Sequence, residues 1–295
     1  MAAVSALRIA PEVLAATRSG APVVALESAV ITHGLPRAAA LEAVQRQWRS
    51  CESAGALPAV VAVFEGELRV GLSRSECAAL AARPEAVKVS PWNLAASLER
   101  PGFGGTTVAA TVVAAASAGI PIVSTGGIGG VHPGDGQDVS ADLTELSRRP
   151  VAVVCAGPKS TLNAVATLER LETLGVPVIG WRSGLLAGFL ASSAGLRLPM
   201  RADSVEELAE LVRRHWELGG AGMVVSQPLP GELAIPLSEL TAEQPGAERG
   251  PHRTPAELAR LQARLGERVI QANTSLLERN AALAAGLAAA LVGHG

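Results

Sequence analysis

Short apolar segments alternate along this chain with amphipathic segments, an order typical of an α/β fold with a largely parallel sheet. The run PVAVVCAG (150–157) is continuously apolar, as expected of a strand covered on both faces. The segment 59–72 predicts two strands around Glu65-Gly66, a hairpin that makes the sheet mixed. The other predicted strands lie at 22–28, 86–90, 119–124, 176–181 and 222–228.

Helices are predicted between these strands. Pro36 stands in the first turn of a helix that ends near Glu52, and Ser140 is an N-cap candidate for a helix that follows it. The segment 104–119 reads as a glycine turn that leads into an Ala-rich helix. Further helices are predicted at 75–82, 161–174 and 204–218, and terminal helices at 254–294 with a break near Gly266.

The segment 230–253 is rich in Pro, Gly and Glu, which predicts a loop or lid rather than a linker between domains. We therefore expect residues 1–295 to form one large α/β domain. Its mixed, largely parallel sheet is expected to be flanked by helices in three layers, αβα.

Composition narrows the classes of function. The chain of 295 residues is 48% hydrophobic and has a net charge of -2 with both signs dispersed, which argues against nucleic-acid binding and a membrane-surface role. Cys51, Cys77 and Cys155 are widely spaced without a CxxC pair, which argues against disulfides and thiolate zinc sites and fits a reducing cytoplasm. No leader is predicted, and the longest apolar run, roughly a dozen residues, is too short to span a bilayer. We expect small-molecule chemistry.

Lysine is nearly absent from the chain. Of 25 basic side chains, only Lys88 and Lys159 are Lys and the rest are Arg. An amine can lose its proton and attack a carbonyl, whereas a guanidinium cannot. The alternative for Lys159 is a solvated side chain just past a strand, and the composition makes the two interpretations about equally plausible.

Polar side chains fall at the ends of several predicted strands, where open α/β sheets place their ligands. Glu27, Lys88, Thr125 and Lys159 each end a strand, so we expect them to converge. The segments GGTT (104–107) and TGGIGG (125–130) offer backbone N–H groups for a phosphate, although neither matches GxGxxG or GxxxxGKS and both are compatible with plain tight turns.

Further candidates surround the second glycine loop. His132 follows the loop, and Asp138 and Asp142 lie shortly after it. Asp142 is in the first turn of a predicted helix, where the helix dipole alone could explain it, whereas Asp138 could hold Mg²⁺ or Mn²⁺. His33 could orient Glu27 or a substrate hydroxyl. The other histidines, assigned to structure or solvent, are His215, His252 and His294.

Five segments occur in one order: ALESAVITHGLPR, GGTTVAATV, TGGIGGVH, DVSADLTEL and VAVVCAGPKS. In this order the sequence resembles the pseudouridine-5'-phosphate glycosidase family, also called indigoidine synthase A-like proteins, from about Ala21 to Ala290. The resemblance implies that Lys159 forms a Schiff base with C1' of ring-opened ribose 5-phosphate and that Glu27 is the proton donor. It implies Mn²⁺ (or Mg²⁺) at Asp138, no organic cofactor, and a homotrimer in the cytoplasm. The residues that it implies to contact substrate are Lys88, Val108, Ser140, Ala141 and Asp142. Asn273 matches the family's pattern and is the candidate for contacting the base. Thr125 and His132 are substrate-contact candidates from their positions at the second glycine loop.

The chemistry explains these residue types. No oxygen joins base to sugar in a C-glycoside, so the two-carboxylate scheme of ordinary glycosidases does not apply. Joining C1' of the opened ribose to an amine gives an iminium as the carbon-carbon bond breaks, while an acid protonates the departing ring carbon. The expected reaction converts pseudouridine 5'-phosphate to uracil and ribose 5-phosphate.

The chain also departs from the family pattern in its loops. Pro133 stands where the family has Arg, and the interval to Asp138 is short. LLAGFLASSAG lacks the family's Arg and aromatics, Gln227-Pro228-Leu229-Pro230 replaces N-P-I-P, and Glu278-Arg279-Asn280-Ala281 replaces KNNA. These departures keep two alternatives open. One is a C-ribosyl synthase (C-glycosynthase) that attaches ribose 5-phosphate to an aromatic polyketide in antibiotic biosynthesis, and the other is a non-catalytic sugar-phosphate binding protein.

Overall fold

The computed structural model describes residues 7–240 and 253–293. Its strands are β1 (Leu7–Ile9), β2 (Val23–Leu26), β3 (Leu57–Phe64), β4 (Glu67–Val70), β5 (Val87–Val89), β6 (Phe103–Thr106), β7 (Ile122–Ser124), β8 (Ala152–Cys155), β9 (Val178–Trp181), β10 (Met200–Ala202) and β11 (Met223–Ser226). Its helices are α1 (Pro11–Arg18), α2 (Arg37–Ser53), α3 (Arg74–Ala81), α4 (Pro91–Ser97), α5 (Val108–Ser117), α6 (Ala141–Leu146), α7 (Ala164–Thr173), α8 (Val205–Glu217), α9 (Leu237–Leu240), α10 (Arg253–Leu265) and α11 (Glu267–Val292). A π-helical turn spans Val30–Gly34.

These strands form one sheet that branches at β3. The main path runs β1-β4-β3-β2-β7-β8-β11-β9-β10, and β5 and β6 form a side branch that joins β3 through β6. The first half of β3 pairs in parallel with β2, whereas its second half pairs antiparallel with β4 and β6. The other pairings are parallel. The sheet is therefore mixed and mostly parallel, as predicted.

Helices cover both faces of the sheet, because its central strands are apolar on both sides. Alternate residues of β2 and β8 enter opposite cores: Leu26 and Val154 pack with α2, α8 and α11, whereas Ala25 and Val153 pack with α5, α6 and α7. This arrangement gives a single domain of three layers.

A cluster of buried hydroxyls fills the junction where β3 changes partners. Ser28 and Thr106 both donate to the carbonyl oxygen of Val61, at 2.5 and 2.6 Å, and Thr111 donates to Thr106 at 3.0 Å. All three hydroxyl-bearing side chains are fully buried. Because a buried carbonyl without a hydrogen bond is costly, these hydroxyls stabilise the branch point and fix the turn that follows β2.

Some local predictions were wrong. The GGTT segment is not a glycine turn: Gly104 and Gly105 lie in strand β6. Gly105 is required there because a Cβ would lie 2.7 Å from the carbonyl oxygen of Ser28 and 3.0 Å from Cα of Ala29. The predicted helix at 161–174 begins only at Ala164, capped by Asn163. The short elements β1, α1, α4 and β10 are not predicted from the sequence.

The last helix, α11, is a core element. Within the described ranges, it alone is long and apolar enough to cross a bilayer, and half of its most apolar stretch is buried inside the protein. It packs mainly on α2 and α8 and against β7 and β8. Gly266 separates it from α10 with a φ of 58°. The lid expected at 230–253 contains α9, but residues 241–252 lie outside the described part of the chain, as do His252 and His294.

Replacing Gly105 by Ala is expected to destabilise the fold, because the new methyl group would press on the backbone of the turn after β2. Overpacking of this kind costs about 1–3 kcal/mol in the free energy of unfolding, and urea denaturation would measure it. Gly102→Ala is the matched control, since its Cβ would meet nothing closer than the carbonyl oxygen of Arg100 at 3.6 Å. Equal stability of the two variants would contradict the close approach at Gly105.

Candidate active site

A cavity of about 370 Å³ opens at the carboxyl edge of the main sheet. The residues around it come from the turn after β2, from β5, from the loops after β7 and β8, and from helices α5, α6, α10 and α11. Predicted site residues that line the cavity are Glu27, Lys88, Val108, His132, Asp138, Ser140, Ala141, Asp142, Lys159 and Asn273. The structure thus brings together side chains that the sequence separates by as many as 246 positions, from Glu27 to Asn273.

Glu27 lies at the end of β2, where the chain enters the π-helical turn. Its Oε2 accepts a hydrogen bond from the backbone N–H of Val30 at 3.0 Å, and its Oε1 accepts from Thr125 Oγ1 at 3.5 Å. Burial raises the pKa of Glu27 above its usual range, although Lys159 and the N–H of Val30 oppose that shift. A raised pKa favours the protonated acid that a proton donor needs.

Thr125 itself is 1% exposed and does not line the cavity. The prediction that it contacts substrate is therefore not supported by its position. Its hydroxyl instead donates to Glu27, so we assign it a role in orienting that carboxyl group.

Lys159 follows β8 in a turn anchored to the glycine loop. Its backbone N–H donates to Ile128 O at 3.1 Å, and the N–H of Ile128 donates to Gly157 O at 3.1 Å. Gly157 has a φ of 81°, which favours glycine. This double link holds the base of the Lys159 side chain against the loop that follows β7.

Lys88 reaches the cavity from a different direction than the sequence predicts. It lies on β5, which pairs with β6 in the side branch, and β6 runs antiparallel to β3. Burial and then the charge of Lys159 lower the pKa of Lys88 to about 8, against the opposing effects of Asp142 and Glu27. The side chain of Lys88 therefore changes between its charged and neutral forms at a pH close to the physiological one.

Asp142 ties two parts of the site together. Its carboxylate accepts from the backbone N–H of Ala109 at 2.8 Å and from that of Gly129 at 2.7 Å, and it is 5% exposed. Ser140 caps the helix that holds it, accepting from the N–H of Asp142 at 3.2 Å. The carboxylate of Asp142 thus caps the neighbouring helix α5 and fixes the glycine loop. Stabilisation of the dipole of its own helix is a minor part of its role.

His132 lies beside this loop. It is 6% exposed, and its backbone N–H donates to Asp138 O at 2.9 Å. Burial lowers the pKa of His132, with Asp138 opposing the shift and Arg253 reinforcing it, so the neutral imidazole is favoured. Its buried Nδ1 has no hydrogen-bond partner within the described residues.

The residues around Asp138 do not fit the predicted divalent cation. Asp138 Oδ2 accepts a hydrogen bond from Arg253 Nη1 at 3.1 Å. Across residues 7–240 and 253–293, no group of three His, Cys, Asp or Glu side chains is placed to hold a metal ion. A guanidinium already supplies positive charge at this carboxylate and occupies Oδ2, so a Mn²⁺ or Mg²⁺ ion would find only the other oxygen and would need water for its remaining ligands.

The remaining histidines and cysteines take minor roles. His33 lines the cavity, with its Nδ1 2.6 Å from Thr32 Oγ1. The role of His33 toward Glu27 or a substrate hydroxyl stays a prediction. His215 lies in α8 against Gly220. All three cysteines are free and buried, and burial raises the pKa of each to about 12, so none is a ready nucleophile.

Four residues of the site were missed from the sequence. Phe189 lines the cavity and has a left-handed backbone conformation (φ 62°). Such a conformation is strained in a residue other than glycine, and the residue type does not predict it. Asn280 donates to Thr125 O at 2.8 Å and to Gly126 O at 3.3 Å, seven residues after Asn273 on one face of α11. Trp92 lines the rim and is 74% exposed. The fourth residue is Arg253, which begins α10 although the sequence predicts a loop or lid over 230–253. The seven-residue spacing of the two asparagines was the one available signal.

Comparisons with known proteins match nearly the whole chain. The family model for indigoidine synthase A like protein matches residues 12–290. A pseudouridine-5'-phosphate glycosidase of Methylobacterium nodulans is 43% identical over 97% of this chain and 88% of its own length, and one of a Nocardioides species is 44% identical over 96% and 95%.

Solved structures agree with the sequence matches. An indigoidine synthase A-like protein from Thermotoga maritima superposes with a TM-score of 0.90 at 34% identity, covering 97% of this chain and 96% of that one. The prealnumycin C-glycosynthase AlnA, solved in complex with ribulose 5-phosphate, superposes with a TM-score of 0.88 at 33% identity, covering 97% of each chain. By sequence and by structure, the chain belongs to the indigoidine synthase A-like family.

Proposed function

We propose that this protein is an enzyme that makes or breaks the C–C glycosidic bond between ribose 5-phosphate and a ring carbon of an aromatic base. The reaction we favour is the conversion of pseudouridine 5'-phosphate and water to uracil and ribose 5-phosphate. The observation that carries the proposal is the meeting of Lys159 with a buried Glu27 of raised pKa in one cavity. The relatives named pseudouridine-5'-phosphate glycosidase support it.

The proposed mechanism begins with Lys159 as nucleophile. Its amine adds to C1' while the bond from C1' to the ring oxygen breaks and that oxygen takes a proton. The bond from C1' to the base carbon then breaks, its electron pair goes to that carbon, and the nitrogen lone pair forms the iminium. Glu27, in its acid form, protonates the base carbon. Water hydrolyses the iminium, which releases ribose 5-phosphate and restores the amine.

The other cavity residues bind and orient the substrate in this proposal. Lys88 supplies a positive charge for the sugar phosphate, and Val108 at the start of α5 lines the same cavity. His132, Ser140, Ala141 and Asn273 are proposed to contact the sugar or the base. Asp142 acts through the backbone that it holds. Mn²⁺ at Asp138 is a prediction of the family resemblance only, and no step here passes through it.

The C-glycosynthase alternative has its own support. AlnA shares the fold across nearly the whole chain, and its structure contains a ribulose 5-phosphate. The lining of the present cavity also includes four large apolar side chains, those of Trp92, Phe189, Leu258 and Leu277. Apolar and aromatic lining of this kind suits an aromatic acceptor larger than uracil. A sugar-phosphate binding protein without activity is the third possibility, and reductive trapping of a sugar adduct on Lys159 would exclude it. Assembly as a homotrimer and a cytoplasmic location stay predictions.

Replacing Lys159 by Arg is expected to abolish turnover although the positive charge is kept, because guanidinium does not form the Schiff base. Loss of a covalent nucleophile reduces kcat by about 10⁴-fold or more. Uracil and ribose 5-phosphate released from pseudouridine 5'-phosphate would be measured by chromatography and mass. Lys88→Arg, a substitution of the same kind in the same cavity, is the comparison and should keep measurable activity.

Appreciable turnover by the Lys159→Arg variant would exclude the Schiff-base mechanism. Absence of uracil release by folded wild-type protein would instead redirect the proposal to synthesis. The assay would then supply ribose 5-phosphate and an aromatic acceptor, and it would follow the C-ribosylated product by mass.

The pH dependence should report Lys88. Its pKa of about 8 means that the ammonium is present below that pH and lost above it. If the ammonium binds the sugar phosphate, kcat/KM for uracil release falls as pH rises through about 8. In Lys88→Arg the side chain stays charged, so that fall should vanish between pH 7 and 9.5 while the low-pH side of the profile is retained. An unchanged alkaline fall in the variant would assign it to another group.

A further inference from the structure

An ion cluster made of Arg253, Asp138 and Glu257 lies at one wall of the cavity. Arg253 Nη1 donates to Asp138 Oδ2 at 3.1 Å, and its Nε donates to Glu257 Oε1 at 2.9 Å. Its Nη2 also donates to the carbonyl oxygen of Pro133 at 3.4 Å. Arg253 and Glu257 are buried, whereas the Asp138 side chain is 31% exposed, so the network runs from the interior of the protein to the cavity.

The guanidinium in this network is firmly charged. Arg does not lose its proton in proteins, and here its guanidinium donates to both carboxylates. Two carboxylates thus face one permanent cation, which offsets part of the cost of burying Arg253 and Glu257.

This arrangement competes with metal binding at Asp138. A divalent cation bound to Asp138 would lie beside a buried guanidinium whose charge has the same sign, and the two charges would repel each other. The guanidinium also occupies one of the two carboxylate oxygens. Glu257 Oε2 is buried without a hydrogen-bond partner among the described residues, but it belongs to no group of three that could hold a metal.

We propose that Arg253 is the resident cation of this site. It takes the place at Asp138 that a divalent metal ion would otherwise fill, and this chain works without a metal there. Arg253 is a positioning residue: through Asp138 and Pro133 O it holds the segment 133–138, and through the bond from His132 N to Asp138 O it sets the position of His132 at the cavity. The part of this proposal that concerns turnover rests on the proposed function, whereas the part that concerns metal binding does not.

The first test is Mn²⁺ binding by the purified wild-type protein after treatment with a chelator. The electron paramagnetic resonance signal of free Mn²⁺ reports binding without any need for turnover. We expect no loss of that signal beyond what the Asp138→Asn variant gives, and uracil release that changes less than twofold with chelator or added Mn²⁺. One Mn²⁺ bound per chain and lost in Asp138→Asn would overturn the proposal, as would a tenfold or larger loss of activity to chelator that Mn²⁺ restores.

The second test removes the internal cation. The double variant Arg253→Met, Glu257→Leu replaces the buried ion pair by apolar side chains of similar size, an exchange that proteins generally tolerate. With Asp138 freed, we expect Mn²⁺ to bind at least about tenfold more tightly than to wild type, as changes around a metal ligand alter affinity by about 10–100-fold. Adding Asp138→Asn should remove this gain.

The control for the second test is Arg264→Ala, which removes an exposed Arg from the same helix and should bind Mn²⁺ as wild type does. A folded double variant with unchanged Mn²⁺ affinity would count against Arg253 as the substitute for a metal. If no variant releases uracil, the proposed function fails, but the Mn²⁺ measurements still decide the role of Arg253.

Discussion

The site depends on the point where β3 changes its hydrogen-bonding partners. β2 ends at Leu26 while β3 continues, so the backbone of β3 beyond Val60 would lose its partner on that side without a replacement. Strand β6 supplies the replacement from the opposite direction, and the hydroxyls of Ser28 and Thr106 satisfy the carbonyl of Val61 at the crossing. This crossing turns the chain at Glu27 into the cavity, and it brings β5 with Lys88 to the same edge. A requirement of backbone hydrogen bonding thus determines where the acid and one of the two amines lie.

Burial then gives these groups their chemical character. The same low-polarity surroundings raise the pKa of Glu27 and lower that of Lys88, so both move toward neutral pH from opposite sides. Lys159 opposes the first shift and reinforces the second, which makes the three groups electrostatically dependent on one another. Asp142 has both carboxylate oxygens bound by backbone N–H groups, so it links two parts of the site. A cavity that combines a carboxyl group of raised pKa with an amine is suited to reactions that need an acid and a nucleophile at once.

Features of the fold and the site that depend on neighbouring residues in the sequence could be predicted, whereas features that depend on residues far apart in the chain could not. The apolar runs that form β2, β8 and β11 are local signals, and the two lysines were conspicuous because Arg replaces Lys elsewhere. The glycines of β6 predict a turn, but Gly105 is required in a strand because the backbone of Ser28, 77 residues earlier, lies close to it. The ring of Phe189 lies against Gly127, 62 residues earlier, and the pairing of Arg253 with Asp138 spans 115 positions. Local patterns therefore predicted the elements and several functional groups, whereas close packing and long-range ion pairs could not be inferred from them.

The cavity is lined partly by residues at the sheet edge and partly by residues on helices. At the sheet edge, the carboxylates of Glu27 and Asp142 accept hydrogen bonds from backbone N–H groups, so replacing either one removes a framework hydrogen bond together with a charged group. Lys159 is held through its own backbone N–H, so its side chain can be replaced without loss of that bond. Trp92, 74% exposed, lies on the short helix α4, and Leu258 lies on α10. Side chains on these helices can therefore differ without changing the hydrogen bonds that position Glu27 and Asp142 at the sheet edge.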